Sequence, residues 1–505
     1  MCCSLGIPLS SRENAGDMKA RATMDLLGKS MLRVRTIRLV LLVLGMSMSA
    51  ATQNSSPSQP ATTPAPAFGQ NAPVLNPENP PVSGLDEPTL ELHTATRSFI
   101  SPALQVSESA DTNAGNQLGG SSVESVSRVL GALDLQQFWP KSDLFLEYLG
   151  GGAFYGSPYD VKQLQAVGLE AVTRWRTGQA TLRDTFSYLP DGSFDLSTYG
   201  GMPGLGLTSG GFGLGAEGGG LPGTNNFGSG QEGSPIGDIP RLANTAILDA
   251  VQALNPVSAI TVAGGFSNAH FFDPTDLLIN SDQVTVEGGY SHLLSRHDQI
   301  GGVYAFQLFQ FPQVSGGQIY NNVFNVRWSH TISGRMSLVA GAGPQYTEME
   351  VGGYLSRWSL SARVQLRYKF AHSSLVATYE KFTSAGSGFF AGADTQAARL
   401  GFKRPLGRTW DFYGDLGYSY NSRLQTSPVD LGAVGAGSFY EGSARAIFRK
   451  HMGRSYDFFA AYGFSEVGFD AVVCLSGPGG TCGKLSQRNV GTVGVEWHPR
   501  PTRIE

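Results

Sequence analysis

Four cations share one parity along a single stretch of this chain. Arg357, Arg363, Arg367 and Lys369 alternate, with Ser359, Ser361 and Gln365, against Trp358, Leu360, Ala362, Val364, Leu366, Tyr368 and Phe370. Successive side chains of a strand point to opposite faces, so this spacing puts the cations on one face and the apolar residues on the other. Arg327, Arg399 and Arg445 occupy the same parity of other alternating segments, as do Glu287, Glu380, Asp411 and Asp415. If those faces line a channel, opposed acidic and basic walls set up a transverse field that sorts ions. The competing reading is that the charges pair with one another and fill the interior of a closed barrel.

Other chemistry finds little support. The eight His residues are scattered, with His297, His372 and His451 at or beside short turns, and they form no HExxH or repeated metal spacing. No GxSxG elbow and no phosphate-binding GxxxxGK[ST] loop occurs. The expectation is therefore a non-enzyme with no metal and no cofactor. Cys474 and Cys482 bracket the Gly/Pro-rich run Leu475–Thr481 and are candidates for a disulfide, with free or metal-binding thiols as the alternative. The net charge of −4 and the lack of a Lys/Arg run argue against nucleic acid as a partner.

The elements that would position these residues are hairpins. The stretch Leu355–Phe370 is followed by Ala371-His372-Ser373, and then Leu375, Ala377 and Tyr379 alternate with Val376, Thr378 and Glu380. The same strand–short turn–strand form recurs at Val126–Phe138 with Asp143–Gly151, and at Leu169–Arg176 with Ala180–Tyr188, where Asp184 falls on the apolar parity. It recurs again through Val284–Leu308, Phe324–Ala340, Ala398–Tyr420 and Ala444–Phe464, with a last strand over Asn489–Trp497. Asn244–Leu254 and Ala259–Ser267 read as strands, although Ala and Leu between Arg241 and Leu254 also suit a short helix. Ile100–Val106 is a weaker first strand because it holds Pro102. Short turns and longer connections alternate. Tyr290, Trp328, Trp358, Tyr418, Tyr456 and Trp497 lie on apolar faces and are candidates for aromatic belts at membrane interfaces. A soluble sandwich core is the alternative.

Composition agrees with many half-lipid-facing strands: 505 residues hold 66 Gly, 18 Tyr and 28 Phe, and only 15% are charged, against about a quarter in ordinary soluble domains. The fold expected is all-β, a transmembrane antiparallel up-and-down β-barrel of about 18 strands, with 16 as the alternative. An even count lets both ends lie on one side. Ahead of it, residues 1–30 lack periodicity and read as an extension before a start at Met31. Residues 31–51 have the cationic, apolar and small-x-small segments of a signal peptide ending near Ala51. Residues 52–95 are Pro-rich and read as a periplasmic linker. Residues 96–505 form the barrel, interrupted by a Gly-rich segment at 190–240 that reads as a long external loop or, alternatively, as one that folds inward and constricts the barrel.

The hairpin spacing, with local phrases such as Gly288-Gly289-Tyr290-Ser291 before Arg296-His297-Asp298 and Gly341-Ala342-Gly343-Pro344-Gln345-Tyr346, resembles the porin-like β-barrel outer-membrane proteins of Gram-negative bacteria. The resemblance runs from Val126 to the C-terminus. It departs at the end, where Trp497 is followed by His498–Glu505 rather than closing the chain on an aromatic. The resemblance implies outer-membrane lipid and the barrel assembly machinery as partners, and a pore for small solutes or saccharides. A closed barrel acting as surface receptor, adhesin or structural anchor is the other function class. The solute and the oligomeric state are not legible in the sequence.

Overall fold

The computed structural model describes residues 98–503, apart from 116, 121–122, 157–160, 190–239, 273–277, 315–316, 351–353, 387, 425–435, 475–481 and 501. The expected N-terminal extension, signal peptide and linker, and all but the last residue of the Gly-rich segment, lie outside the described residues.

The sequence alternation becomes strands throughout. They are β1 (Phe99–Asp111), β2 (Glu124–Phe138), β3 (Ser142–Tyr155), β4 (Val161–Trp175), β5 (Gly178–Leu189), β6 (Arg241–Asn255), β7 (Ser258–Phe271), β8 (Ser281–Leu293) and β9 (Asp298–Gln310). The second half continues with β10 (Gln318–Ser333), β11 (Met336–Met349), β12 (Leu355–Lys369), β13 (Ser374–Ser384), β14 (Ala393–Pro405), β15 (Trp410–Arg423), β16 (Ser438–Met452), β17 (Tyr456–Cys474) and β18 (Cys482–Trp497). A two-residue piece, Thr502–Arg503, follows. Each strand pairs antiparallel with its sequence neighbours, and β1 also pairs with β18, from Leu104↔Trp497 to Asp111↔Val490. The sheet therefore closes into an eighteen-stranded up-and-down barrel, which leaves no free edge at the seam.

Two uncertain segments resolve for physical reasons. Arg241–Leu254 is strand, because β5 and β7 flank it and pair along its length. Pro102 is accommodated within β1. The seam ladder with β18 starts at Leu104, and Thr502–Arg503 pairs only with Ile100 and Phe99, so the proline falls in a gap where no seam hydrogen bond is required of it.

The alternation has an inside and an outside. In β1, Gln105, Ser107, Ser109 and Asp111 are buried while Leu104 and Val106 are exposed. The same inversion runs through β8, where Gln283, Thr285 and Glu287 are buried and Val284 and Val286 exposed, and through β18, where Arg488, Thr492 and Glu496 are buried and Val493 and Val495 exposed. Apolar side chains outward and polar ones inward is the opposite of a soluble fold, and it excludes the sandwich reading of the aromatics. The short turns (Trp139–Lys141, Arg176–Thr177, Pro256–Val257 and their successors) lie at one end with the chain's start into β1 and exit from β18. Turns of this kind use left-handed glycines at Gly407 and Gly453. The longer connections lie at the other end.

Candidate functional site: the charged inner wall and the aromatic mouth

All of the lumen candidates fall on inward parities. Arg327 is buried on β10, and the ladder sets it opposite Gly341 of β11, which in turn faces Arg363 of β12, which faces Glu380 of β13. Arg363 Nε lies 3.1 Å from Glu380 Oε1, and Arg327 Nη2 lies 3.7 Å from Oε1 of the buried Glu287. A side chain at Gly341 would bring a Cβ to 2.7 Å from Arg327 Cγ, so this glycine is the space in which the Arg327 stem lies along the wall.

A second group stands at the short-turn end. Asp415 and Arg445 face each other across the β15–β16 ladder. His451 bridges Asp411 and Asp457, at 2.9 Å to each. Arg449 contacts Asp457 at 3.2 Å and also meets Glu496, and His498 lies 3.5 Å from Asp457. Charges of both signs held this close inside a wall neutralise one another locally while leaving a strong field across the space they border. Near the long-loop end Arg357 reaches Asp394 at 3.2 Å, with Lys381 on the same carboxylate at 3.8 Å. Arg367 and Arg399 are partly buried on the inner face, and Lys369 is exposed at the end of β12. Arg176, which shares the basic parity in sequence, sits in the β4–β5 turn and is exposed.

Several inward charges carry no pattern strong enough to single them out in the sequence. Arg488 grips Asp111 across the seam with three contacts of 2.6, 2.9 and 3.1 Å. Arg183 contacts Glu170 and Asp249 at 3.3 Å each, and Arg128 donates to Ser109. Each obeys the parity rule. Their partners, up to 377 residues away in sequence, are visible only once the ring is closed.

The mouth at the long-loop end is apolar. The β13–β14 connection, residues 385–392, turns on left-handed glycines Gly386, Gly388 and Gly392 and places Phe389 and Phe390 in one cluster with Phe271, Leu278, Phe439 and Phe469. Phe389 meets Phe439 and Phe469 edge-on, with ring centroids 5.2 Å apart in both cases. Ile279 N donates to Gly388 O at 2.8 Å, and a Cβ on Gly388 would lie 2.8 Å from the Phe271 ring. Phe271 ends β7 and Phe439 begins β16, which are diametrically opposed in a ring of eighteen. Residues 385–386 and 388–392 therefore cross the mouth. Among the described residues this connection folds inward; the Gly-rich segment, which the sequence reads as a long external loop or, alternatively, as one that folds inward, lies outside them but for residue 240. The signal was the cluster of Gly and Phe at Gly386–Gly392, which is too short to stand out beside a fifty-residue glycine run.

On the outer face the six aromatic candidates are all exposed. Tyr456 opens β17, Trp497 closes β18, and Tyr290 and Trp328 stand near the short-turn ends of β8 and β10. Trp358 lies near the other end of β12, with its ring 4.8 Å from that of Tyr346, and Tyr418 lies in the upper half of β15. Between these levels the outward residues are Val286, Val326, Val364, Leu416, Val493 and their like. Such an apolar band bordered by aromatics is the surface of a protein that sits in a lipid bilayer. Cys482 is disulfide-bonded, and the β17–β18 ladder places it directly opposite Cys474.

No protein-family model matches this chain, and no curated protein matches it in sequence. Among solved structures, Pseudomonas aeruginosa OccK2 (OpdF) and OccK5 (OpdH) are similar. OccK2 is 10% identical, with 81% of this chain and 100% of that chain covered and a TM-score of 0.38. OccK5 is 10% identical, with 80% and 98% covered and a TM-score of 0.39. The FrpB iron transporter from Neisseria meningitidis is 9% identical, with 83% and 82% covered and a TM-score of 0.37. At that distance the likenesses carry no information about cargo, and the functional reading rests on this chain's own geometry.

Proposed function

We propose that this chain is an outer-membrane, porin-like pore for small polar solutes, saccharides included. One observation carries the reading: a closed ring of eighteen strands whose inner face is polar and charged and whose outer face is an apolar band between aromatic levels. Rings of sixteen to eighteen strands are wide enough to hold an aqueous channel, and charge of both signs along the inside of a membrane wall suits the passage of polar solutes. Arg327, Arg357, Arg363, Arg367 and Lys369 weight the β10–β12 side toward positive charge, which favours small anions. The protein is read as a non-enzyme whose partners are outer-membrane lipid, the barrel assembly machinery and the solutes themselves.

A second reading has an observation of its own. The apolar cluster around Phe389 and Phe390 crosses the mouth, which suits a closed barrel that presents its long loops as a receptor, adhesin or anchor. Liposome swelling separates the two. Uptake of small sugars by vesicles carrying the full chain supports the pore, and impermeable vesicles with no unitary conductance in planar bilayers sink it in favour of the closed barrel.

A further inference from the structure

Strand β12 pairs with β11 along its length, from Leu355↔Met349 to Tyr368↔Met336. Its ladder with β13 begins only at Ala362↔Lys381. Continued, it would join Ser361, Leu360 and Ser359 to Phe382, Thr383 and Ser384. Two contacts show where those residues have gone. Thr383 belongs to the outward parity of β13, yet its hydroxyl is met by Gln345, an inward residue of β11. Asp394 belongs to the outward parity of β14, yet it is buried and holds Arg357, an inward residue of β12, at 3.2 Å. An outward residue of the β13–β14 hairpin touches an inward residue of its neighbours in both cases. Above Lys381 the hairpin lies inside the line of the wall, and the top of β12 overlaps it from outside.

The break lies at bilayer depth. Ala362 shares its row with Ala342 and Val326 in the apolar band, and Trp358, 70% exposed, marks the upper aromatic level, with Leu360 exposed between them. Among the described residues no strand pairs with Ser359, Leu360 and Ser361 on the β13 side. Unpaired backbone polar groups facing hydrocarbon cost several kcal/mol each, so something with hydrogen-bonding capacity belongs there. The crevice has an apolar lip, formed by Trp358 and Leu360 on one side and Tyr379 on the other. At its floor the charges do not balance: Arg357 and Lys381 share the single carboxylate of Asp394, while Arg363 already has Glu380. Glu348, above Trp358 on the outward face of β11, is held by the Tyr354 hydroxyl.

We propose that this crevice is a lateral binding site for the anionic headgroup of a membrane amphiphile from the outer leaflet. Arg357 and Lys381 take the carboxylate or phosphate, the freed backbone N–H groups of β12 donate to its oxygens, and the acyl chain runs down over Leu360 and Tyr379. The proposal rests on the barrel standing in a bilayer and is independent of whether it conducts solutes.

The test uses the full chain in nanodiscs of zwitterionic lipid doped with tail-diazirine analogues of a fatty acid, a phosphatidic acid or the corresponding neutral fatty alcohol. Labelling of residues 355–361 and 381–396 at least fivefold stronger with an acidic analogue than with the alcohol, and displaced by unlabelled acid, is the expected result. The fatty acid and phosphatidic acid arms tell carboxylate from phosphate. The Arg357→Gln/Lys381→Gln double variant, with folding checked by heat-modifiable gel mobility, should lose that excess while labelling around Trp328 stays unchanged. Equal labelling by acid and alcohol, labelling spread evenly around the barrel, failure of unlabelled acid to compete on the unaltered chain, or a cross-link from Trp358 to a second copy would each overturn the proposal. A chain that fails liposome swelling can still label in this way, so the two readings fail separately.

Discussion

Arg363 and Glu380 face each other across the β12–β13 ladder, and their charged groups meet at 3.1 Å. The pair belongs to the row that also holds Arg327, so a change there alters the field where basic side chains are densest. Replacing Arg363 and Arg367 together by Glu should raise cation over anion permeability by roughly tenfold, since fields of this kind change local ion concentration by that order. The backbone ladder that holds the strands is untouched, so the variant should still fold. The reversal potential in a KCl gradient across a planar bilayer reads the change. An unmoved reversal potential means that these arginines only fill space.

Two glycines of β11 separate a steric role near a side chain from one near backbone. An alanine Cβ at Gly341 would press on the flexible stem of Arg327 at 2.7 Å, whereas one at Gly343 would stand 1.8 Å from the carbonyl oxygen of Phe324. The arginine can swing aside and the backbone cannot. Gly343→Ala should therefore cost about 1–3 kcal/mol and lower the temperature at which the folded band disappears on gels. Gly341→Ala should leave that temperature within a few degrees of the unaltered chain.

The mouth segment should limit throughput if the barrel conducts. Phe389→Ala with Phe390→Ala removes the two rings that meet Phe439 and Phe469. Their loss should increase sugar uptake in liposome swelling at least twofold while the barrel stays closed. Gly388→Ala approaches the same end by another route: its left-handed backbone, φ +80°, disfavours a side chain, and the new Cβ would collide with the Phe271 ring. Both variants swelling at the original rate would remove this segment from the permeation path.

At the seam, Arg488 and Asp111 form a buried, multiply bonded ion pair. Removing one partner leaves the other charge buried alone, so Arg488→Ala should cost about 3–5 kcal/mol, whereas replacing both by Leu should restore much of the loss. Urea unfolding in detergent, followed by Trp fluorescence, measures both. A double variant as unstable as the single would mean that the packing of the pair, and not its charge, is what the seam needs.

Much of this molecule was legible because a membrane wall prints its two faces onto the sequence with period two. The inward parity of Arg327, Arg357, Arg363, Glu287 and Asp415 and the outward parity of Trp358 and Tyr456 follow from counting alone. What did not follow was distance. Glu287 meets Arg327, and Arg357 meets Asp394 two strands away, because of shear and of the inward bend at the top of β13, neither of which leaves a periodic trace. Pro102 weakened the first strand in sequence, although the gap in the seam ladder makes it harmless. The mouth segment was passed over because length and glycine content drew attention to residues 190–240, while the short run Gly386–Gly392 acts through three positive-φ turns and two rings.

The ladder between β1 and β18 has a consequence for how the barrel is made. Ser109 and Thr492 bond across it at 2.9 Å, 383 residues apart. Seventeen of the ring's contacts join neighbours along the chain and can form as each hairpin emerges; the eighteenth waits for the final strand. Closure of so long a loop is slow and entropically opposed. Until then, each terminal strand carries one edge of unsatisfied amides, at opposite ends of an open sheet. A chain truncated before Cys482 would not make a narrower pore. It would leave the seam edge of the first strand permanently unpaired, a sheet with two sticky borders and a strong tendency to pair with copies of itself.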